Sequence, residues 1–580
     1  MKITKQAGSE EIRPFVPEMV KSLLEALSQM EDSRLNYIEQ HASAIGMSAE
    51  KLEHARLQSS KQSPMGETLD VLMGHVDEET MTELVPALSS VLRAGVGLNT
   101  RAGTCRFISR LCLRKGSLVR PHAGKLFKAL LAAAASDKSA SVTSAAVSAV
   151  AAVARHATEA RTHQLVEDLV GMYDKTGDDS DTNAEKERGL AALLALELSR
   201  NASDALSRHA TKILPLAFVG RFDETKQCAS RWEEVWEENA AGASSTLRLY
   251  LDEILGACAS RLSSAQYRIK RQGAAATAAA AKAAPDVVRL RSPEMLKGLL
   301  KELPGRVWEG KESLPGCVAE FIEACPESAE GENIHVITLL VAEAGRKKAT
   351  YRKAAIAALD RALAALAPAK TKTENENTGQ EDFFPTVLPL LRELLGGTSN
   401  TITTADAAGN TVAEMEEEAA RVAAEAKTND AVADQCLRCL ATLCAGSASD
   451  AMRAGAAECA SFAHDALAPS HGWTRRAAAC AVVTAAASRV ALDGSSKAKD
   501  NEQWLVPLRD AVVSCAEDPR VSQLRVSAVD ALVAVAQALK GSLKSETRVA
   551  CMKQLELMRD GDRAPDVRGA AGKALADLGA

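Results

Sequence analysis

One segment of the chain comes close to a phosphate-binding loop, and it reads Gly305-Arg-Val-Trp-Glu-Gly310-Lys311-Glu312. In that loop, G-x-x-x-x-G-K-[ST], the lysine contacts phosphate oxygens and the final hydroxyl holds magnesium. Here Glu312 replaces the hydroxyl, and a carboxylate at that position repels phosphate. The segment also follows Met295 to Leu303, which has helical apolar spacing, whereas a phosphate loop follows a strand. The residues favour an inter-helix turn, and a nucleotide-dependent enzyme is the third-ranked hypothesis.

Cysteine and histidine spacing is the next possible source of chemistry. Cys436 and Cys439, with Cys444 beyond them, resemble a metal or redox pair, but a structural zinc site needs four ligands and no second pair lies nearby. These cysteines occupy apolar helical positions and are predicted to be buried. The ten histidines are scattered, and neither H-E-x-x-H nor G-x-S-x-G occurs. We therefore predict no catalytic residue, no metal and no cofactor.

Two further segments could contact a partner. The run from Arg346 to Lys353 carries five basic residues in eight and could face an acidic partner or RNA, but without interleaved aromatics it favours a solvated turn. The segment Trp232-Glu-Glu-Val-Trp236-Glu-Glu-Asn239 places two tryptophans one helical turn apart. They either staple neighbouring repeats together or form a binding hot spot. The candidate partner contacts are Trp232, Trp236, Asn239, Trp308 and Lys311.

Composition indicates how such residues are positioned. Hydrophobic residues make up 46% of the 580, but aromatics only 3%, so the apolar content is mostly alanine, leucine and valine. This composition suits closely packed helices and argues against a large β-sandwich or barrel. The 76 acidic and 70 basic residues give a net charge of -6, which offers no field of one sign for nucleic acid or an anionic membrane.

The sequence also predicts a location. No segment has the roughly 20 strongly apolar residues of a membrane span. The first fifteen residues, MKITKQAGSEEIRPF, lack the apolar core of a signal peptide. Thirteen cysteines are too sparse for a disulfide scaffold and indicate a reducing compartment. We expect the chain in the cytoplasm and nucleus.

A repeat runs along the chain. A basic residue is followed three and six or seven positions later by small or aliphatic residues, at Arg101, Arg188, Lys270, Lys311, Arg352, Arg438, Arg476, Arg525 and Arg568. Lys270, Lys311 and Arg352 stand 41 residues apart, and a period near 40 to 47 is typical of HEAT or armadillo repeats. Those offsets share one helix face, which is buried when helix pairs stack. The fold class predicted is an all-α, HEAT/armadillo-like helical-repeat solenoid.

The repeat also predicts local roles and boundaries. Each basic residue is expected at an inter-helix turn, as an ion pair or cap, and Asp518-Pro519 and Pro565-Asp566 are expected to supply two of the turns. Residues 1–368 form one array, 369–410 are polar flexible inserts, and 411–580 continue the repeats. The inserts comprise Ala369 to Asp382 and Gly396 to Asn410, and an acidic helix is expected from about Val412 to Lys427.

Several short stretches, in order, resemble the C-terminal part of the proteasome adaptor and scaffold family, which consists of very large HEAT-repeat proteins. The stretches are Ala55 to Leu57, Ser63 to Met65 with Glu67 and Thr68, Gly95 to Leu98, Ile213 to Phe218, Trp232 to Asn239, Leu247 to Leu251, and Gly305 to Glu312. The resemblance covers about residues 13 to 325, and beyond it only the repeat rhythm continues.

The resemblance implies a non-enzymatic partner-binding role. Family members are implied to tether the 20S core particle to the 19S regulatory particle of the 26S proteasome, and to take part in proteasome assembly and quality control. Known members extend further N-terminally, so this chain is expected to correspond to a C-terminal portion. The expected partner is the 26S proteasome, with no nucleic acid and no small-molecule substrate. The alternative is another HEAT scaffold, such as a karyopherin-like carrier or a ribosome-associated regulator.

Overall fold

The computed structural model describes residues 9–30, 64–175, 182–367, 382–396, 412–446, 450–492, 498–539 and 546–579. In these ranges the regular structure is helical, and no strand occurs in them. None of the helices described combines the length and apolar character needed to cross a membrane. The chain divides into two compact units, Met1–Ala276 and Thr277–Ala580. The predicted all-α repeat fold is confirmed.

The first unit is built from helices of 4 to 22 residues. In chain order they are α1 (Ser9–Ile12), α2 (Val16–Ala26), α3 (Pro64–Leu72), α4 (Glu78–Ala94), α5 (Leu98–Val119), α6 (Ala123–Ser136), α7 (Ala140–Ala154), α8 (Glu159–Asp174), α9 (Thr182–Asn201), α10 (Ser203–Ser207), α11 (Ala210–Gly220), α12 (Lys226–Asn239), α13 (Ala243–Leu249) and α14 (Leu251–Leu262). The next helix, α15 (Tyr267–Ala283), contains the boundary between the units.

The second unit continues with longer helices. They are α16 (Pro285–Val288), α17 (Ser292–Glu302), α18 (Ser313–Ala324), α19 (Asn333–Ala344), α20 (Ala349–Leu366), α21 (Phe384–Gly396), α22 (Val412–Gly446), α23 (Asp450–Ala466), α24 (Trp473–Leu492), α25 (Ala498–Ala516), α26 (Ser522–Ala538), α27 (Glu546–Gly561) and α28 (Pro565–Gly579). The helix α22 contains the acidic helix that the sequence predicts from about Val412 to Lys427.

Within each unit the helices form two layers. In the first unit α5, α7, α9 and α12 pack in sequence, and α4, α6, α8 and α11 pack in sequence beside them. In the second unit one layer is α18, α20, α22, α24, α26 and α28, and the other is α19, α21, α23, α25 and α27. Small residues let the helices approach closely: Ala479 on α24 and Ala528 and Ala531 on α26 are fully buried. Each pair buries its apolar face against its neighbours.

Aspartates stand in the turns that precede several helices of the layer that carries the basic residues. Asp137, Asp223, Asp518 and Asp562 precede α7, α12, α26 and α28, and each accepts a hydrogen bond of 2.8 to 2.9 Å from the backbone N–H two residues later. The side chain thereby holds the turn that leads into the helix. The turn before α28 is made by Asp562, since Pro565 and Asp566 already belong to the helix; the prediction for Pro565-Asp566 was wrong by one turn.

The basic residues of the repeat pair with these aspartates across neighbouring repeats. The N···O distances are 2.9 Å for Arg101–Asp137, 3.6 Å for Arg188–Asp223, 2.9 Å for Arg476–Asp518 and 2.8 Å for Arg525–Asp562. The predicted ion-pair role is confirmed at these four arginines, but the predicted position at an inter-helix turn is wrong for Arg188, which lies inside α9. Arg568 instead donates to the backbone oxygens of Asp562 and Arg563, which is the capping alternative.

The segment predicted as a polar insert, 369–410, contains a packed helix. Val387 and Leu391 of α21 are fully buried, and α21 packs on α22. The prediction is therefore wrong for 384–396, where regularly spaced apolar residues form a helix with one buried face. The stretches 369–381 and 397–410 lie outside the described residues.

Candidate partner-binding site

The two tryptophans of α12 lie inside the first unit. Trp232 is 0% exposed and Trp236 is 4% exposed. Trp232 and Tyr173 of α8 form a T-shaped ring pair with centroids 5.1 Å apart, and Trp236 forms a similar pair with Phe218 of α11 at the same distance. Edge-to-face pairs of this kind add to the stabilisation from burial. Both rings therefore join α12 to α8 and α11.

A glycine makes room for one of these rings. A Cβ atom on Gly220, the last residue of α11, would lie 2.4 Å from Cγ of Trp232. Such a distance is far inside van der Waals contact, so only glycine lets α11 approach α12 this closely. The Arg221 guanidinium lies over the rings of Phe218 and Trp236, 4.5 and 4.9 Å from their centroids. Arg221 therefore adds a cation–π contact to the packing of these two rings.

A buried polar chain runs beside the rings. The Tyr173 hydroxyl donates to Asp223 at 2.9 Å, and Gln272 of α15 donates to the Tyr173 oxygen at 2.8 Å. Gln272 also donates to the backbone oxygen of Val219 at 2.9 Å. Burial raises the pKa of Tyr173, and the Asp223 charge adds to that effect. The phenol stays protonated and serves as a fixed hydrogen-bond donor.

The outward side of α12 is tied to α9 by polar contacts. Arg200 pairs with both Glu234 and Glu238, and Glu238 accepts from Ser199 at 2.6 Å. Asn239 donates to the Ser199 hydroxyl at 2.8 Å. Burial acts to raise the pKa of Glu238, but the hydrogen bonds from Ser199 and Arg200 outweigh it, so the pKa is lowered. These acidic side chains therefore serve contacts between repeats.

These contacts support the stapling interpretation of the tryptophans. Their rings pack among the chain's own side chains, and a partner could reach them only if this core opened. Asn239 is half-buried. Contact between Asn239 and a partner stays a prediction.

Lys311 is engaged in a buried ion pair rather than in a solvent-facing loop. Its side chain is 1% exposed, and Nζ lies 3.6 Å from Glu343 of α19. The ammonium also donates to the backbone oxygen of Leu303 at 2.5 Å. Glu343 in turn accepts from Tyr351 at 2.6 Å and from Arg346 at 2.8 Å. Lys311 therefore connects the turn after α17 to α19 and α20.

This geometry agrees with the inter-helix-turn interpretation of Gly305 to Glu312. The segment joins α17 to α18, and it turns at Gly305 and Gly310, which have φ values of 99° and 89°. A phosphate-binding lysine must present its ammonium to the loop's own backbone cradle. Here the ammonium points at a carboxylate from another helix. Trp308 is half-buried in this turn, and its contact with a partner stays a prediction.

The basic run from Arg346 to Lys353 forms the turn between α19 and α20. Arg346 pairs with Glu343, and Arg352 donates to the backbone oxygen of Arg346 at 2.8 Å. Lys347 and Lys348 are exposed. The run therefore combines structural contacts with a solvated turn.

The cysteines are unbridged and buried, as predicted. Cys436 and Cys439 are fully buried on α22, and burial raises the pKa of the Cys436 thiol to about 12. Thiols of this kind are poor metal ligands and poor nucleophiles. Within the described residues, no group of three histidine, cysteine, aspartate or glutamate side chains is placed to hold a metal ion.

A surface groove that sequence reasoning did not identify lies next to the Lys311 turn. It has a volume of about 940 Å³ and is bounded by α17, Pro304 and the start of α19. Lys297 and Lys301 of α17 line it, one helical turn apart. The groove lies between α17 and α19, which are separated in the chain by α18 and by a 3-10 turn at Pro326–Ala329. No local sequence pattern therefore predicts the distance between the two helices.

Two sequence models of one family match the chain. The model of the HEAT-repeat domain of the proteasome adapter and scaffold protein ECM29 matches residues 12–174. The model of the ECM29 C-terminal ARM-like repeats matches residues 329–577. The second match lies beyond residue 325, where the short motifs of the resemblance end.

Relatives in three organisms agree with these matches. The human proteasome adapter and scaffold protein ECM29 is 31% identical over 412 residues, which are 68% of this chain and 21% of the human protein. The proteasome component ecm29 of Schizosaccharomyces pombe is 25% identical over 60% of this chain and 20% of its own length. The proteasome component ECM29 of Saccharomyces cerevisiae is 23% identical over 59% and 18%. The chain spans about a fifth of the length of these curated relatives.

Solved structures show only distant likeness. The karyopherin Kap121p bound to RanGTP aligns with 99% of this chain and 60% of its own, at 15% identity and a TM-score of 0.48. An engineered protein aligns with 79% of this chain and 99% of its own, at 15% identity and a TM-score of 0.40. Likeness at this level carries no argument for a carrier function.

Proposed function

The chain belongs to the family of the proteasome adapter and scaffold protein ECM29, as its motifs predicted, and we propose that it is a non-enzymatic scaffold that binds the 26S proteasome. The observation that carries the proposal is the match of family models to both parts of the array, residues 12–174 and 329–577. The relatives are named as proteasome adapters or components.

The absence of an enzymatic role belongs to the same proposal. It is supported by the residues whose types and spacing suggested nucleotide or metal chemistry, because they have structural roles in this fold. Lys311 is buried against Glu343, and Cys436 and Cys439 are buried thiols.

The scaffold acts by distributing contacts along its stacked helices. Each repeat exposes one turn and part of two helices, so several weak contacts can form at separate places on one partner or on two. Once one contact has formed, the next forms within the same complex at a high effective concentration. In this way the chain helps to hold the core and regulatory particles together, in the cytoplasm and the nucleus.

The experiment uses the tagged chain on a solid support and purified core and regulatory particles, supplied separately and then together. Retention of both particle types supports the bridging scaffold. Retention of one particle alone supports proteasome binding and contradicts bridging by this chain. If neither particle is retained by a chain with intact helical circular dichroism, the proposal fails.

The predicted contact residues are tested in the same assay. Asn239→Ala and Trp308→Ala change half-buried side chains, and each is expected to weaken retention several-fold if it touches a particle. Trp473→Ala is the matched control, because Trp473 is 43% exposed and lies on a different repeat. Unchanged retention by both test variants, with the fold intact, removes these residues from the binding surface. A fluorescent fusion of the chain, imaged in cells, tests for its presence in both compartments.

A further inference from the structure

The groove beside the Lys311 turn combines an apolar lining with two lysines. Ile334, which is 44% exposed, and Leu339, which is half-buried, contribute aliphatic surface to the groove, and the buried Leu300 also lines it. Its volume of about 940 Å³ lies at the upper end of the range for ligand pockets, roughly 300 to 1,000 Å³. That size suits a short peptide segment better than a folded domain.

The charges along the groove are unbalanced. Lys297 and Lys301 stand four residues apart on α17, so their side chains share one face of the helix. In the described part of the chain neither of them forms an ion pair, and both are exposed. Glu332, which immediately precedes α19, and His335 of α19 also line the groove. Two lysines thus face a single carboxylate, and the groove has spare positive charge.

The frame of the groove is fixed from behind. Lys311 donates to the backbone oxygens of Leu303 and Pro304, at 2.5 and 3.5 Å, and its charge is held by Glu343. Pro304 lines the groove. Gly331 also lines it, with a φ of 80° and no atom within 4 Å of where a Cβ would be, so the space beside this residue is open. A preformed site loses less entropy on binding than one that must be ordered.

We propose that this groove binds a short acidic segment of a partner protein. An aliphatic side chain of that segment packs on Ile334 and Leu339, and carboxylates on either side of it pair with Lys297 and Lys301. Charge complementarity identifies the occupant, because the unpaired lysines attract carboxylates. No phenylalanine, tyrosine or tryptophan is among the described residues that line the groove, and His335 alone does not provide the row of rings on which successive bases stack, which disfavours single-stranded RNA.

The inference goes beyond the proposed function, since it rests on the geometry of the groove and not on the identity of the particle bound. The probe is a fluorescein-labelled peptide, Glu-Asp-Leu-Leu-Asp-Glu, titrated with the full chain and followed by fluorescence anisotropy. Its amide counterpart, Gln-Asn-Leu-Leu-Asn-Gln, tests the need for carboxylates. We expect the acidic peptide to bind at least about 10-fold more tightly than the amide peptide, and less tightly as salt rises.

The test variant is the double substitution Lys297→Glu with Lys301→Glu. The matched control is Lys347→Glu with Lys348→Glu, which changes the net charge equally at an exposed turn of the same unit. The test variant is expected to weaken binding of the acidic peptide by about 10-fold or more, and the control by about 2-fold or less. The test variant is also expected to bind the charge-reversed peptide, Lys-Lys-Leu-Leu-Lys-Lys, better than the unmodified chain does.

Three outcomes would overturn the inference. They are equal binding of the acidic and amide peptides, equal weakening by the test and control variants when both melt like the unmodified chain, and preferential binding of an oligouridine probe that the test variant abolishes. Peptide binding is measured without proteasome particles. The two tests are therefore independent: a chain that fails to bind the peptide can still retain particles, and a chain that fails to retain particles can still bind the peptide.

Discussion

Arg525 on α26 and Asp562, in the turn before α28, form a two-pronged ion pair between neighbouring repeats. The Nε to Oδ2 distance is 2.8 Å and the Nη2 to Oδ1 distance is 3.0 Å, with both side chains less than a tenth exposed. Asp562 also accepts from the backbone N–H of Ala564. One carboxylate therefore fixes the turn before a helix and the stacking of that helix on the previous repeat.

Breaking this pair is expected to loosen the last repeats. Arg525→Ala leaves Asp562 buried without its countercharge, which should destabilise the second unit by about 3 kcal/mol. Because repeat arrays are held by nearest-neighbour contacts, faster amide hydrogen exchange should appear in α27 and α28 and leave the first unit unchanged. Hydrogen-exchange mass spectrometry of peptides from 546–579 and 64–175 measures this. Arg563→Ala, at an exposed position, is the control, and equal effects of the two variants would contradict the structural role.

The aspartate turns make stability sensitive to acid. The backbone N–H of Arg520 and the Arg476 side chain lower the pKa of Asp518 despite its burial. For Asp562 burial acts to raise the pKa, but hydrogen bonds from Arg525 and Ala564 outweigh it, and the pKa is also lowered. When the pKa is lower in the folded chain, the unfolded chain takes up the proton at a higher pH than the folded chain does. The free energy of unfolding therefore decreases as the pH is lowered.

The stability that these carboxylates contribute is therefore complete above their ordinary pKa of 3.8 and is lost as pH falls through the lowered values. We expect Asp562→Asn to lower the Tm at neutral pH, and the gap from the unmodified chain to close as pH falls below about 4. Thermal melts followed by circular dichroism between about pH 7 and pH 3 measure the gap. The exposed Asp577→Asn is the control, and a gap for Asp562→Asn that is constant with pH would be inconsistent with this account.

Two glycines are expected to respond in opposite directions to the same substitution. Gly220→Ala places a methyl group against Trp232 and should destabilise the first unit by about 1 to 3 kcal/mol. Gly189 lies inside α9 with no atom within 4 Å of where a Cβ would be, so Gly189→Ala should stabilise by about 0.5 to 1 kcal/mol. Urea unfolding followed by tryptophan fluorescence compares them. A neutral Gly220→Ala would mean that α11 and α12 are not held this closely.

Lys311 is predicted to support stability and not nucleotide binding. Lys311→Met keeps most of the side-chain volume but removes the charge that faces Glu343, and should cost about 2 to 3 kcal/mol. Adding ATP with magnesium should leave the Tm of the unmodified chain unchanged. Differential scanning fluorimetry measures both effects, with Lys347→Met at an exposed position as the control. An ATP-dependent rise in Tm that Lys311→Met abolishes would restore the nucleotide-dependent hypothesis.

The arginine pattern was readable from sequence, but its partners were not. The offsets after Arg101, Arg188, Arg476 and Arg525 predicted a repeated helix face and a structural cation. Each aspartate partner stands one repeat away in the chain, and only stacking brings the two together. Likewise, α21 was hidden because polar stretches on both sides gave the whole range 369–410 the composition of an insert.

The tryptophans show a second reason why sequence was insufficient. Spacing of four residues places Trp232 and Trp236 on one helix face whether that face meets solvent or a neighbouring helix. The face is buried here because Gly220 on α11 makes room for the Trp232 ring. The lysine groove is similar, because the positions of Lys297 and Ile334 depend on how α17 and α19 are set apart.

We propose that this chain binds the proteasome as a folded helical scaffold. The most direct measurement is sedimentation of the purified chain with purified 26S proteasome through a glycerol gradient, with the chain alone as reference. We predict that the chain sediments with the particle. We also predict that Arg525→Ala lowers the amount of bound chain only in proportion to the fraction of chain that it unfolds. If the chain keeps its helical circular dichroism but stays at the top of the gradient, it does not bind the proteasome and the proposal fails.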